Sequence, residues 1–187
     1  MKMKAKTKIS NLLKDKNLVK EIFPYSVSDY QTINPLNNSL SQKFSTLSSM
    51  ETSKLIQKSQ LSYVEWKVTS LETRFSKFKN LAACLEKNTD KIAEMMALEM
   101  GKPVTQGIGE VKKCIGHINY YIQNTEEFTK NKAINFEGFN NEIHFKPVGP
   151  ILSINPWNFP FWVPFKSIIP SMMVGMFMSF IYLQEIL

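Results

Sequence analysis

The stretch Lys146-Pro147-Val148-Gly149-Pro150-Ile151-Leu152-Ser153-Ile154-Asn155-Pro156-Trp157-Asn158-Phe159-Pro160-Phe161-Trp162 decides the fold. From Pro150 to Asn155 it carries Ile151, Leu152 and Ile154, a short apolar run between turn signals. That length and composition suit a strand buried in a parallel sheet, where both faces are covered. Pro156 and Pro160 then bracket Trp157-Asn158-Phe159, which reads as a turn at the carboxyl end of the strand. In open α/β sheets that end of a strand is where ligands bind.

Upstream the period is helical. Ser48 and Glu51 have the spacing of a capping box and open a first helix to about Lys67, with Leu55, Ile56, Tyr63 and Val64 on one face. Ser70 caps a second, striped by Leu71, Phe75, Phe78, Leu81, Ala82 and Leu85. Asn88 begins a third, with Ile92, Met95, Met96 and Leu98 inward, and Gly101 stops it by taking the left-handed conformation. Pro103 starts a fourth at its first turn, running to about Thr129 on a seam of Ile108, Val111, Ile115, Ile118 and Ile122. Gly107 and Gly109 weaken its first turns. Further on, residues 142–146 alternate and read as a strand. Asn34-Pro35 and Asn37-Asn38-Ser39 are turn chemistry. Helices followed by a buried strand define an α/β chain whose sheet is only beginning.

The totals exclude several classes. The 187 residues carry 23 Lys and Arg against 16 Asp and Glu, but only Arg74 is an arginine and the lysines are scattered. That is a solvated surface, not the phosphate- and guanine-reading array of a nucleic-acid binder. Cys84 and Cys114 are far apart, form no CxxC and fall on helical patterns, which reads as two reduced core thiols in a reducing compartment. His117 and His144 have no partners for a zinc site. No apolar segment precedes residue 25, so the expectation is a cytoplasmic protein without a secretory signal. Residues 1–28 read as a basic extension. Its first twenty residues leave a mitochondrial presequence as the alternative, though they lack Arg and contain Asp15.

Taken together, Lys146–Trp162, Glu99-Met-Gly-Lys-Pro103, Glu110-Val111, Cys114, Tyr120-Tyr121, Trp66, Arg74 and Ile33-Asn-Pro35 resemble the aldehyde dehydrogenase superfamily. The match covers about residues 28–175 and is nearest the succinate-semialdehyde dehydrogenases. It implies the amino-terminal part of that α/β fold: a helical region, a strand of the oligomerisation arm, and the first strand and helix of a Rossmann-like cofactor domain over residues 29–175. It also implies oxidation of a small-molecule aldehyde, a carboxylate-bearing semialdehyde, to an acid with NAD or NADP. A homo-oligomer is implied for the full-length family.

The resemblance assigns roles residue by residue. Asn158 matches the side-chain donor that stabilises the oxyanion; outside this motif it would read as a turn Asn satisfying its own backbone. Ile154, Asn155, Pro156 and Trp157 match the lining of the dinucleotide cleft, with a core anchor as the other reading of Trp157. Phe159 and Lys166 fall on the substrate side. Lys166 stands where semialdehyde dehydrogenases carry an Arg, so the charge is kept and the bidentate fork lost; the plain alternative is a lysine stem lying along its helix. Glu99 and Glu110 read as capping or ion-pair residues.

Beyond Gly175 the chain departs from the family. Met176 replaces an expected Asn and no ribose-binding Lys follows, so residues 176–187 read as a divergent apolar tail. The family's nucleophilic Cys and general-base Glu are expected beyond residue 187, and these residues alone are expected to be inactive. Ser167–Gln184 is uncharged over 18 residues, which supports a rival reading as a tail-anchored or non-catalytic membrane or interaction protein.

Overall fold

A computed structural model describes residues 29–136 and 139–183. The basic extension and its presequence alternative lie outside the described residues. A hairpin comes first: β1 (Asp29–Ile33) pairs antiparallel with β2 (Leu40–Ser45). The expected turn joins them. Asn34 Oδ1 accepts from the Leu36 amide at 2.9 Å, Asn37 Oδ1 accepts from the Ser39 amide at 3.0 Å, and Asn38 has φ 55°. These are the local bonds that make Asn a turn residue. The strands themselves were not foreseen, because neither alternates cleanly.

Four helices follow as expected: α1 (Ser49–Trp66), α2 (Leu71–Lys87), α3 (Thr89–Met100) and α4 (Val104–Thr129). The Ser48–Glu51 capping box forms at α1, and hydrogen bonding from Ser48 lowers the Glu51 carboxyl below its usual range. Ser70 caps α2 through the Thr73 amide. Gly101 ends α3 at φ 71°, with Pro35 of the first turn packed where a side chain would otherwise project. The fourth helix buries Val111, Cys114 and Ile118 completely, and α2 and α3 pack on it. Full burial of a side chain such as Ile118 contributes about 1.5–3 kcal/mol.

Three parts of the helical reading need correction. On α1 only Tyr63 is buried, and Leu55, Ile56 and Val64 are each about half exposed. The helix rests on the sheet through Ser59, bonded to Ser179 at 2.7 Å, and Tyr63, bonded to the Pro147 carbonyl at 2.8 Å, so its apolar stripe is only partly used. On α3 Ala93 and Met96 are buried and Ile92 packs against the core, while Met95 and Leu98 are exposed. On α2 the inward positions are 74, 78, 82 and 85, so Cys84 points to solvent and is no core thiol.

A second hairpin pairs β3 (Lys132–Phe136) with β4 (Phe139–Ile143), Lys132 opposite Ile143. The strand expected over 142–146 therefore lies three residues earlier, because its partner at 132–136 fixes the register. The buried-strand segment forms β5 (Pro150–Pro156), and α5 (Trp162–Met173) carries the chain to β6 (Phe177–Leu183), parallel to β5 with Pro150 opposite Phe177. This is a βαβ unit, the connection that a parallel pair requires. Residues 177–183 of the apolar tail thus continue the sheet. The uncharged 18-residue stretch is split between a helix and a strand by the turn at Val174–Met176. No helix among the described residues is long and apolar enough to cross a membrane.

Candidate functional site

The turn after β5 projects from the carboxyl end of the parallel pair. Alternation along β5 sends Ser153 and Asn155 towards α5 and leaves Leu152, Ile154 and Pro156 on the open face. Asn155 is 3% exposed; its Oδ1 accepts from Ser153 Oγ at 3.1 Å, and its Nδ2 has no hydrogen-bond partner among the described residues. Any ligand on the open face therefore meets Asn155 through its backbone. Ile154, Pro156 and Trp157 form an exposed, mostly apolar ledge beside it.

Asn158 is exposed at the head of the turn, and its side chain makes no hydrogen bond among the described residues. The backbone around it is held firmly. Glu110, in the second turn of α4, points a buried carboxylate at the start of α5. Its Oε1 accepts from the amides of Phe161 and Trp162, both at 2.9 Å. Its Oε2 is paired with Lys102 Nζ, which also donates to the Asn158 carbonyl at 3.2 Å. Lys102 Nζ sits 4.0 Å over the Phe159 ring. Glu110 is thus a capping and ion-pair residue, as the sequence indicated.

A cleft of about 260 Å³ opens next to this arrangement, lined by Lys102, Gln106, Gly109, Glu110, Lys113, Phe159 and Trp162. Lys113 Nζ stacks 3.9 Å over the Trp162 ring and makes no salt bridge among the described residues. Lys166 is exposed on α5, one turn past Trp162, and does not line the cleft. Both lysines act on His117 of α4, whose ring packs edge-on against Tyr121 and Trp162. Burial lowers the His117 pKa first, Lys113 and Lys166 lower it further, and a hydrogen bond to the Lys166 backbone opposes them. Asn158, Phe159 and Trp157 therefore share one turn, with Ile154 at its base and Lys166 on the adjoining helix.

Neither cysteine offers a thiolate to this turn. Cys114 is fully buried on α4, where burial, aided by Glu110 and opposed by Lys113, pushes its thiol up to about 12. The exposed Cys84 lies on α2. Among the described residues no group of His, Cys, Asp or Glu is arranged to hold a metal ion.

Sequence reasoning gave no role to Lys102, Lys113 or Arg74, although Lys102 and Arg74 stand in the segments that carry the family resemblance. Arg74 was legible: it lies four residues before Phe78 on the buried stripe of α2. Lys102 was not, because a lysine between glycine and proline carries no periodic signal.

A parallel βαβ unit with a turn projecting from the carboxyl end of its first strand places the chain in the class of open α/β sheet proteins. Residues 24–178 match the family model described as the aldehyde dehydrogenase family. The chain belongs to that family. It is 32% identical over 144 residues to a probable succinate-semialdehyde dehydrogenase [NADP(+)] of Synechocystis, covering 77% of this chain and 32% of that protein. It is 31% identical over 134 residues to a 1-pyrroline-5-carboxylate dehydrogenase of Staphylococcus epidermidis, covering 71% and 26%. Among solved structures, the succinic semialdehyde dehydrogenase of Streptococcus pyogenes in complex with NADP+ superposes with a TM-score of 0.78 at 28% identity, covering 82% of this chain and 34% of that one. The chain spans about a third or less of the length of these relatives.

Proposed function

We propose that these residues form the oxyanion and cofactor side of an aldehyde dehydrogenase site that oxidises a carboxylate-bearing semialdehyde with NAD or NADP. The observation that carries this is Asn158: an unengaged carboxamide, on a rigidly held turn, at the carboxyl end of a parallel strand. A free donor carried on a backbone that is already held stabilises the negative oxygen of a thiohemiacetal at little reorganisation cost. The ledge of Ile154, Pro156 and Trp157 suits the flat, partly apolar face of a nicotinamide dinucleotide, which accepts the hydride when bound. Asn155 contributes through its backbone. Phe159 walls the substrate cleft, and Lys166 on α5, together with Lys113 on α4, draws the far carboxylate by charge. The succinate-semialdehyde and pyrroline-carboxylate relatives support an acidic substrate and NADP as one cofactor. The exposed Ile134, Ile143 and Phe139 on the β3–β4 hairpin support self-association.

Since neither thiol reaches the turn as a nucleophile, the 187 residues alone turn over no aldehyde. The test grafts residues 24–178 into the Synechocystis relative in place of its matching segment. Succinate semialdehyde-dependent formation of NADPH or NADH by the grafted enzyme supports the proposal. A well-folded grafted enzyme with no turnover sinks it.

A further inference from the structure

We propose that the buried Lys102–Glu110 pair is the positioning device for Asn158, an inference that rests on the oxyanion reading above. Both side chains are nearly inaccessible, at 6% and 2% exposure, so the pair bears a desolvation cost that only its contacts offset. Those contacts converge on four residues of the five-residue stretch 158–162. Lys102 holds the Asn158 carbonyl and the Phe159 ring, and Glu110 holds the Phe161 and Trp162 amides.

The local sequence explains why outside help is required. A helix start leaves amides unpaired, and a Ser, Thr, Asp or Asn at the cap position normally accepts from them. Here the cap residue is Phe161, which has no acceptor, and α5 has no acidic residue in its first turn. Glu110 supplies the missing acceptor from α4. The carboxylate also complements the positive end of the helix dipole. Lys102 neutralises that carboxylate and ties the other side of the turn to the same point. The peptide units on both sides of Phe159 and Pro160 are thus fixed to α4 and the segment before it. The Asn158 carboxamide remains free to face a ligand.

The pair also settles where a substrate anion does not bind. The α5 amides are an attractive anion site, but Glu110 already occupies them. Among the described residues, Lys113 and Lys166, which both act on His117 beside Trp162, remain as cations for a substrate carboxylate.

The experiment is amide-resolved hydrogen exchange on the 187-residue chain at low concentration. Glu110→Ala removes the acceptor, and Lys102→Met strands a buried carboxylate. Each should speed exchange at Phe161 and Trp162 at least tenfold while the core amides of α2 and α4 stay within about threefold. Lys102→Met combined with Glu110→Gln keeps an acceptor and buries no charge, so exchange at 161 and 162 should return to within about threefold of the wild type. If the single variants unfold, the double variant carries the test: slow exchange at 161 and 162 supports the proposal, and fast exchange there within a protected core overturns it. Unchanged exchange in Glu110→Ala, or acceleration spread evenly through the core, also overturns it. In the grafted enzyme, Glu110→Ala should lower kcat about tenfold with KM within threefold, and a matched loss in both would overturn the positioning role. The exchange readout involves no turnover, so a failure of the oxyanion reading is seen separately, as an Asn158→Ala variant that keeps full activity.

Discussion

The Arg74 guanidinium donates to the Met173 carbonyl at 3.0 Å and fills the space where Gly175 would carry a side chain. A Cβ on Gly175 would lie 2.9 Å from Nη2. The same group donates to the Lys67 carbonyl and to Thr69 Oγ1, and Trp66 Nε1 donates to the Met172 carbonyl at 2.8 Å. The last carbonyls of α5 are therefore satisfied by Arg74 of α2 and Trp66 at the end of α1, with a cation at the negative helix end. Burial lowers the Arg74 pKa from its usual value. Glu110 at one end of α5 and Arg74 at the other fix the helix between β5 and β6.

Arg74→Lys loses the planar fork and leaves carbonyls unpaired. It should cost about 2–4 kcal/mol, since a hydrogen bond to a charged group is worth about 1.5–3. Gly175→Ala should cost about 1–3 kcal/mol from its left-handed φ of 93° and the contact with Arg74. The double variant should cost less than the sum, because the shorter lysine vacates the space that the new methyl needs. Denaturant midpoints check all three; strict additivity would show that the two residues do not share that space.

Gly107 and Gly109 should respond oppositely to alanine. A Cβ on Gly107 would meet the Ala93 backbone at 2.9 Å, where α4 crosses α3. A Cβ on Gly109 meets nothing within 4 Å. Gly109→Ala should raise stability by about 0.5–1 kcal/mol through helix propensity. Gly107→Ala should lower it by about 1–3 kcal/mol despite the same gain, because backbone cannot move aside cheaply. Thermal melts of the two variants decide; a stabilised Gly107→Ala would refute the close crossing.

The thiols should separate cleanly. A disulfide reagent at neutral pH should titrate Cys84 at once and Cys114 only after unfolding. The pH dependence follows from the raised Cys114 thiol, 9.0 ordinarily and about 12 in the fold. Between those values the unfolded chain releases a proton that the folded chain keeps. Stability from this group is intact below pH 9 and is lost as pH rises towards 12. Cys114→Ala should therefore lose less stability than the wild type between pH 8.5 and 10.5. Parallel pH profiles would contradict the burial of this thiol.

Lys166 offers a test of substrate class in the grafted enzyme. Lys166→Met keeps most of the stem and removes the charge, and a charge-assisted contact is worth roughly 1.5–3 kcal/mol. The kcat/KM for succinate semialdehyde should fall about tenfold to a hundredfold. For butanal it should stay within about threefold. Equal losses on both would mean that Lys166 only supports α5, leaving Lys113 to read the carboxylate.

The helices were legible because caps, Gly101 and 3.6-residue stripes all agree on them. The strand β5 was legible from its apolar run between prolines. The two hairpins were not, since β3 and the first two strands alternate poorly and owe their pairing to the turns between them. The tail was misleading for a different reason. A run without charge reads alike as a membrane span and as a helix plus a buried strand, and only the turn at Val174–Met176 separates them. At the site, the motif pointed to Asn158, Trp157 and Phe159, which the structure gathers in one turn. The Lys102–Glu110 clamp depends on a contact between segments about fifty residues apart, which no local pattern records.

The most direct test of the account is the kcat/KM of Asn158→Ala in the grafted enzyme with succinate semialdehyde. Loss of one preorganised oxyanion donor costs about 2.7–4 kcal/mol, so the rate should fall about a hundredfold to a thousandfold. Dinucleotide binding should be unchanged. A variant within threefold of the parent would show that Asn158 is a turn residue only, and the assignment of this turn to the oxyanion would be wrong.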